Sequence, residues 1–383
     1  MSNTDTQDPV FRRFYSHLNS AVTILRAYDG GMPFAHFIKN YFSQHKKFGS
    51  KDRRQITELC YCYFRLGRSY PQLTTEQKVV KGHILSKASW SDEWLSFWDS
   101  FHLPRESPDH IFPLAHPLST GIDSEAFTRS HLVQPDLFLR IRPGHKDAVI
   151  DKLKIADISF VLTDDRLRLN NSIRVDEVVK VNQEVVVQDL SSQRVAELLR
   201  LYTTATTTDS VAAVWDCCAA SGGKSILAHD TLQKMELTVS DIRSSIIFNL
   251  KKRFQEARIN NYRAFVADAT HANPGKQFDL IIADVPCSGS GTWARTPEQL
   301  LYFDAASIAS FVKLQLAITA NAIQYLKPGG YLLYITCSVF EKENEGQVHQ
   351  LQNAGLHLVE QQVLKGYDQK ADTMFAALMS MPL

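Results

Sequence analysis

From residue 211 to residue 337 the chain repeats one pattern: a short apolar run, a loop of small or acidic residues, then a stretch with helical spacing. The runs fall at 211–215, 236–240, 263–267, 278–283 and 331–336. Parallel neighbours need a crossover connection, so strands that alternate with helices imply a doubly wound, parallel sheet of the α/β class. Leu280-Ile281-Ile282-Ala283 is apolar at every position, as a strand buried on both faces requires. Enzymes built on such sheets place their chemistry beyond the carboxyl ends of the strands, so the residues that follow each run matter most.

Two of the runs end in cysteine. The first leads into Asp284-Val285-Pro286-Cys287-Ser288-Gly289-Ser290-Gly291-Thr292, and another ends in Thr336-Cys337-Ser338. A lone cysteine at a strand end packs as a small hydrophobe. Two of them at the ends of two strands suggest a single two-thiol site. Pro286 stiffens the turn, and the glycines let backbone approach a ligand.

The loop after the first run reads Cys217-Cys218-Ala219-Ala220-Ser221-Gly222-Gly223-Lys224-Ser225. A P-loop would need glycine where Cys218 stands, and the G-x-G-x-x-G fingerprint of dinucleotide enzymes is absent. What remains is a small-residue loop opening a helix whose N-terminus favours anionic groups, carboxylates included. The next three runs end in Asp241, Asp268 and Asp284. A single aspartate after a strand is a common turn residue. Three in succession suit a nucleoside with a cationic portion: Asp241 for ribose hydroxyls, Asp268 for an adenine amino group, and Asp284 nearby. S-adenosylmethionine has a ribose, an adenine, a carboxylate and an ammonium but no phosphate, so a methyltransferase is the expected class.

The 383 residues leave room for further domains, and 44% hydrophobic with 22% charged residues is an ordinary globular composition. The formal net charge of +1 announces no general affinity for nucleic acid, although a local basic face is compatible with it. Six cysteines without C-x-x-C spacing make neither a disulfide framework nor a zinc site, so no metal is expected. The polar start, Met1-Ser2-Asn3-Thr4-Asp5-Thr6, is unlike a signal peptide, and no run is long enough to span a membrane, so a reduced, cytoplasmic protein is expected.

Residues 11–103 carry helical spacing, as in Phe14, Leu18, Val22 and Leu25, with a break at Gly30-Gly31. A second helix is expected around 32–42. Ser50 is expected to cap a third that runs through Ile56, Leu59, Tyr63 and Phe64. Lys46, Lys47, Lys51, Arg53 and Arg54 form either a phosphate-binding patch or a solvated face. Trp90, Trp94 and Trp98 mark one stripe of a packed helix. Residues 104–130, rich in Pro, His and Ser, read as a linker. A β-α-β-β order follows: a strand at 136–142, a helix at 146–153, and strands at 160–162 and 167–169. It suits a small α+β module in which Arg140 and Arg142, on one strand face, contact phosphates or simply face water. A long helix is expected over about 305–326, stopped by Lys327-Pro328-Gly329-Gly330, and another from about 343. Closing strands are expected at 356–364 and 373–378.

The residues 218–224, Asp241, Asp268, 284–292 and 335–338 together resemble the Nop/Sun family of RNA cytosine-C5 methyltransferases, in particular its bacterial Fmu/Sun branch. Residues 187–193 resemble a further family segment. Residues 134–143 are similar to the family's small RNA-binding module, and the helical region with Gly49-Ser50-Lys51-Asp52-Arg53-Arg54 to a NusB-like domain. The resemblance implies a NusB-like domain over 1–103, a linker over 104–129, an RNA-binding α+β module over 130–186 and a methyltransferase domain over 187–383. That last domain would be Rossmann-like, of class I, with a mostly parallel seven-stranded sheet.

By the same resemblance the cofactor is S-adenosylmethionine, held by Cys218, Ala219, Ala220, Ser221, Gly222, Gly223, Lys224, Asp241, Asp268 and Asp284. The family has proline where this chain has Ser221. Cys337 is the implied nucleophile toward cytosine C6, Cys287 the group that assists product release, and Asp284 a contact to the base edge or the methionine ammonium. Exchange of the two thiol roles is the alternative. The implied partner is RNA with an unpaired cytosine, in small-subunit (16S) ribosomal RNA or, alternatively, transfer RNA; the sequence does not fix the oligomeric state, and a monomer is expected over an oligomer. A catalytically silent RNA-binding assembly factor on the same fold is the rival reading.

Overall fold

The computed structural model describes residues 9–86, 98–99, 101, 103–206 and 211–383. The chain divides into two compact units that are not contiguous in sequence. The first takes in residues up to 115, residues 123–134 and residues 293–305; the second takes in 116–122, 135–292 and 306–383.

The first unit is helical: α1 (Pro9–Ala27), α2 (Phe34–Gln44), α3 (Ser50–Arg65), α4 (Thr75–Ser86) and α5 (Ser124–Ser130). Its core is aromatic, with Tyr28, Phe34 and Phe64 in edge contacts and Phe37 beside them. Two buried polar groups explain why residues 293–305 belong to this unit. The Glu298 carboxylate accepts the Phe34 backbone amide at the start of α2 (3.0 Å). The buried Arg65 guanidinium donates to the carbonyls of His131 (2.7 Å), Val133 (3.2 Å) and Ala294 (3.0 Å).

Gly49, not Ser50, precedes the first turn of α3, and no side chain caps it. The expected linker ends in α5, whose amides are capped by Asp123. Lys46, Lys47, Lys51 and Arg54 are exposed, while Arg53 is drawn back to the Phe48 carbonyl (2.9 Å). Trp90 and Trp94 lie outside the described residues; Trp98 is buried.

The second unit holds two sheets. The small one has order β2-β3-β1-β4, all antiparallel, from β1 (Leu137–Ile141), β2 (Val161–Thr163), β3 (Arg166–Leu169) and β4 (Val185–Val187). Helix α6 (Lys146–Ile155) packs Val149 and Leu153 into the core of this sheet. The adjoining helices are α7 (Leu190–Arg194) and α8 (Ala196–Ala205). Arg140 and Arg142 bind neither phosphate nor water on an open face. Both side chains are buried against Asp230, at 2.6 and 2.7 Å. Only a charged partner makes burial of two guanidinium groups tolerable.

The large sheet has order β10-β11-β9-β8-β5-β6-β7. Its strands are β5 (Ala212–Asp216), β6 (Met235–Asp241), β7 (Tyr262–Val266), β8 (Phe278–Asp284), β9 (Leu326–Thr336), β10 (His357–Leu364) and β11 (Met374–Ser380). The first five are parallel, and the last two close the edge antiparallel. The mostly parallel, seven-stranded expectation therefore holds. Helices α9 (Gly223–Leu232), α10 (Ser244–Glu256), α11 (Ser307–Ala322) and α12 (Glu345–Asn353) complete the fold, and the two faces of the sheet carry separate apolar cores. The Lys327-Pro328-Gly329-Gly330 stretch is not a loop but the opening of β9. A register shift against β8, between Phe278 and Leu280, absorbs the extra residues. Among the described residues no helix is long and apolar enough to cross a membrane.

Candidate active site

The strand order reverses between β5 and β8, and a crevice opens beyond the carboxyl ends of strands at such a point. Beyond β5, residues 217–222 form a tight turn. The Ala219 amide donates to the Ser240 carbonyl (2.9 Å) and the Ala220 amide to Asp241 Oδ2 (3.2 Å). Ala220 and Gly222 both have positive φ, 44° and 83°. A Cβ on Gly222 would lie 2.5 Å from Phe254 Cε1, so only glycine fits there. Ser221, which stands where the resembled family has proline, accepts a hydrogen bond at its Oγ from Arg253 Nη1 (2.9 Å). An exposed guanidinium contact thus tethers the loop without a proline ring.

Each aspartate at a strand end has its own partners. Asp241 ends β6, with Oδ1 accepting the Arg243 amide (3.0 Å) and Arg243 Nε (3.1 Å). That arginine is 59% exposed and can be displaced by a ligand hydroxyl at little cost. Asp268 stands two residues past β7, where its Oδ1 accepts the Thr270 amide and hydroxyl. The Thr270 amide is the first cause that lowers its carboxyl, followed by the Thr270 hydroxyl. Asp284 ends β8 and is paired with Lys224 Nζ at 3.1 Å, so the lysine of the loop and the carboxylate of the next strand act as one unit.

Asp216, at the end of β5, is fully buried, and its Oδ2 accepts the Ser225 hydroxyl (2.6 Å). Burial pushes its carboxyl up to about 7, opposed by the Ser225 hydrogen bond and reinforced by the nearby charge of Asp284. Its Oδ1 has no hydrogen-bond partner. A small-residue cradle that a Cβ would fill, an orphaned carboxylate oxygen and three further carboxylates fit a cationic nucleoside and do not fit a polyphosphate. Cys218 to Lys224, Asp241, Asp268 and Asp284, the residues expected at the cofactor, lie at or just beyond the carboxyl ends of β5, β6, β7 and β8.

The two thiols are brought together. Cys287 follows β8, Cys337 follows β9, and these strands are neighbours. The sulfur atoms lie 3.2 Å apart, both half-buried and unlinked. The Gly291 amide donates to the Cys337 carbonyl (2.8 Å), and the Thr373 amide donates to the Gly291 carbonyl (2.9 Å). A Cβ on Gly291 would sit 1.9 Å from that Thr373 oxygen, so glycine is required where the two cysteine loops touch. The Cys287 thiol is pushed well above its ordinary value, chiefly by the hydrogen bond to Cys337, then by burial, the Cys337 charge and the charge of Glu343.

Sequence reading missed Asp216, Glu343 and Gln315. Asp216 repeats the rule already applied to the other three strands, a carboxylate at the carboxyl end, and that signal would have found it. Glu343 and Gln315 carry no such local signal: one lies in a short turn after β9 and the other within α11.

Residues 203–376 match the model of a family described as 16S rRNA methyltransferase RsmB/F. This region is similar to the RsmB/F methyltransferases. Among RsmB/F relatives, a ribosomal RNA small subunit methyltransferase B of Xanthomonas campestris is 32% identical over 191 residues, 47% of this chain and 42% of the relative. One of Xylella fastidiosa is 30% identical over 259 residues, 64% of this chain and 58% of the relative. The chain thus spans about half the length of the curated relatives it matches. The fold of PH0851 is similar over 97% of this chain and 99% of that one, with a TM-score of 0.70 at 18% identity. NSun6 of Pyrococcus horikoshii, solved with SFG, matches 67% of this chain and 93% of its own, with a TM-score of 0.58 at 15% identity.

Proposed function

We propose that the chain is an S-adenosylmethionine-dependent RNA methyltransferase that forms 5-methylcytosine at an unpaired cytosine of small-subunit ribosomal RNA. The carrying observation is the pair of thiols 3.2 Å apart, beyond neighbouring strands of a sheet whose adjacent strand ends suit that cofactor. The names of the RsmB/F relatives support the substrate class. Methylation of an exocyclic amine would have no use for two cysteines.

Cytosine C5 is a poor nucleophile. Addition of a thiolate at C6 moves electron density onto C5 and makes it enamine-like. Cys337 is the proposed nucleophile, by its position in the resembled family, and the Cys287 sulfur lies 3.2 Å from it. S-adenosylmethionine, when bound, supplies an electrophilic methyl group. Lys224 and Asp284, joined by their ion pair, hold polar groups of the cofactor or the base edge. Once C5 is substituted, its proton must leave before the C6–S bond can break. Cys287 passes its thiol proton to the departing Cys337 sulfur, 3.2 Å away, and takes the C5 proton, while the electron pair of the C5–H bond closes the C5–C6 double bond. A base inside a duplex cannot offer C6 to a thiol, so the target is unpaired or flipped out.

The test is incubation of Cys287→Ala with total cellular RNA, followed by denaturing recovery and sequencing of the adduct. The expected result is a stable protein–RNA link at one cytosine of an unpaired ribosomal loop, and loss of both adduct and methylation in Cys337→Ala. An adduct that persists in Cys337→Ala assigns the thiols the other way round. A link to transfer RNA replaces the substrate. Absence of adduct and of wild-type methylation leaves the RNA-binding reading.

A further inference from the structure

Glu343 ends a short 3-10 turn (Glu341–Glu343) that follows β9, and its side chain is fully buried. Its carboxylate accepts four hydrogen bonds. Oε1 accepts the Ser288 amide (2.9 Å) and Gln315 Nε2 (3.0 Å). Oε2 accepts the Ser288 hydroxyl (2.5 Å) and the Ser338 hydroxyl (2.6 Å). Ser288 is the residue after Cys287, and Ser338 the residue after Cys337. One carboxylate therefore holds the backbone or side chain next to each thiol.

The surroundings extend this clamp. Gln315 Nε2 also donates to the Pro286 carbonyl (3.0 Å), on the other side of Cys287. The Glu343 carbonyl accepts the Tyr334 hydroxyl from β9 (2.7 Å). The next residue, Asn344, donates to the Ser338 carbonyl (2.9 Å) and accepts the Thr336 hydroxyl (2.5 Å).

Burial of a carboxylate is costly unless its oxygens are satisfied and its charge is offset. Here the four acceptor directions are filled by four donors, and among the described residues no lysine or arginine pairs with it. This carboxylate thus lies buried against the loop that carries Cys287.

We propose that Glu343 is a positioning residue of the two-thiol site: it locks both cysteine loops and makes the thiols unequal, Cys337 being the more reactive. What that inequality serves rests on the methyltransferase reading; the inequality itself does not. The ionisable groups facing Cys287 are Cys337, Glu343 and Tyr334. The Cys337 hydrogen bond, burial, the Cys337 charge and then the Glu343 charge all raise the Cys287 thiol.

The test is iodoacetamide labelling of the full chain between pH 6.5 and pH 9.5, with mass spectrometry following each cysteine in wild type, Glu343→Gln and Glu343→Ala. In wild type, Cys337 is expected to label at least about tenfold faster than Cys287 near pH 8. Glutamine keeps one oxygen for Ser288 and Gln315, and the two serine hydroxyls can turn to accept from its amide. Glu343→Gln is therefore expected to fold, to bring the two labelling rates within about twofold, and to lower kcat at least about tenfold with KM for RNA unchanged. Glu343→Ala is expected to lose the rate ratio and stability together. A Cys287 that labels faster in wild type overturns the proposal, as does a wild-type rate ratio in Glu343→Gln. The labelling needs neither RNA nor cofactor. A changed ratio in a wild-type protein that methylates nothing would sink the functional reading alone, and an unchanged ratio in an active enzyme sinks the role of Glu343 alone.

Discussion

Asp230→Ala removes one carboxylate from between two buried guanidinium groups. Asp230 lies on α9, the helix that follows the 217–222 turn, Arg140 lies on β1 of the small sheet, and Arg142 is the residue just past its end. The side chains are 9% (Arg140), 10% (Arg142) and 6% (Asp230) exposed, and the ion pairs measure 2.6 and 2.7 Å. Loss of one partner from a buried pair costs about 3–5 kcal/mol, because an uncompensated charge is left behind. Two positive charges share this carboxylate. Arg142 retains the Asn182 carbonyl (3.1 Å) and the Ala257 carbonyl (2.5 Å), and Arg140 retains Gln188 (3.1 Å). We expect a loss of about 4 kcal/mol, a fall in urea midpoint of about 1 M or more, and a smaller loss for Arg142→Met, which leaves one pair intact. Burial alone would raise the Asp230 carboxyl. The nearby His229 ring, the Arg142 hydrogen bonds and the charges of both arginines outweigh it and hold the group well below the usual carboxylate range. A depressed folded-state value means that the contribution is complete above the unfolded value, about 3.9, and is lost as pH falls through the folded one. The difference between wild type and variant should thus be flat from pH 8 to pH 5 and shrink only in acid. Urea unfolding of both proteins at pH 7.5, 5 and 3.5 measures this. A loss under about 1 kcal/mol at pH 7.5, the range of an exposed pair, would refute the argument.

Gly291→Ala should separate the two cysteine loops, since its Cβ meets the Thr373 oxygen at 1.9 Å. Overpacking of this kind costs about 1–3 kcal/mol, and RNA adduct formation should fall with it in a denaturing-gel assay. Lys224→Met should leave Asp284 unpaired and weaken cofactor binding at least about tenfold in calorimetry, with a small change in urea midpoint. Asp216, raised to about 7, binds a proton in the folded chain where the unfolded chain has lost it. Its contribution therefore makes stability fall as pH rises from about 4 to about 7. Asp216→Asn should flatten that slope in urea unfolding between pH 5 and pH 7, and an unchanged slope would assign it to other groups.

The elements of the large sheet were readable because their signals are local. A continuous apolar run marks a strand buried on both faces, and a small or acidic residue at its end marks the crevice, so Asp241, Asp268, Asp284, Cys287 and Cys337 could be named from the chain alone. Local signals misled where a tertiary partner changed their meaning. Arg140 and Arg142 alternate along a strand as solvated residues do, yet a carboxylate 88 positions from Arg142 buries them. Lys327-Pro328-Gly329-Gly330 has the composition of a turn, yet β8 accepts it through a register shift.

The sequence by itself determined the class of fold, the order of its strands along the chain and the chemical types at their ends, since these follow from short-range patterns of apolar and small residues. Only the tertiary structure decided which ends meet. The placement of β8 beside β9 brings sulfur atoms 50 positions apart to 3.2 Å. The same placement lets one glutamate bind the serines at 288 and 338 at once. Such convergence is a property of strand order and of the turn that follows β9, and no window of sequence contains both.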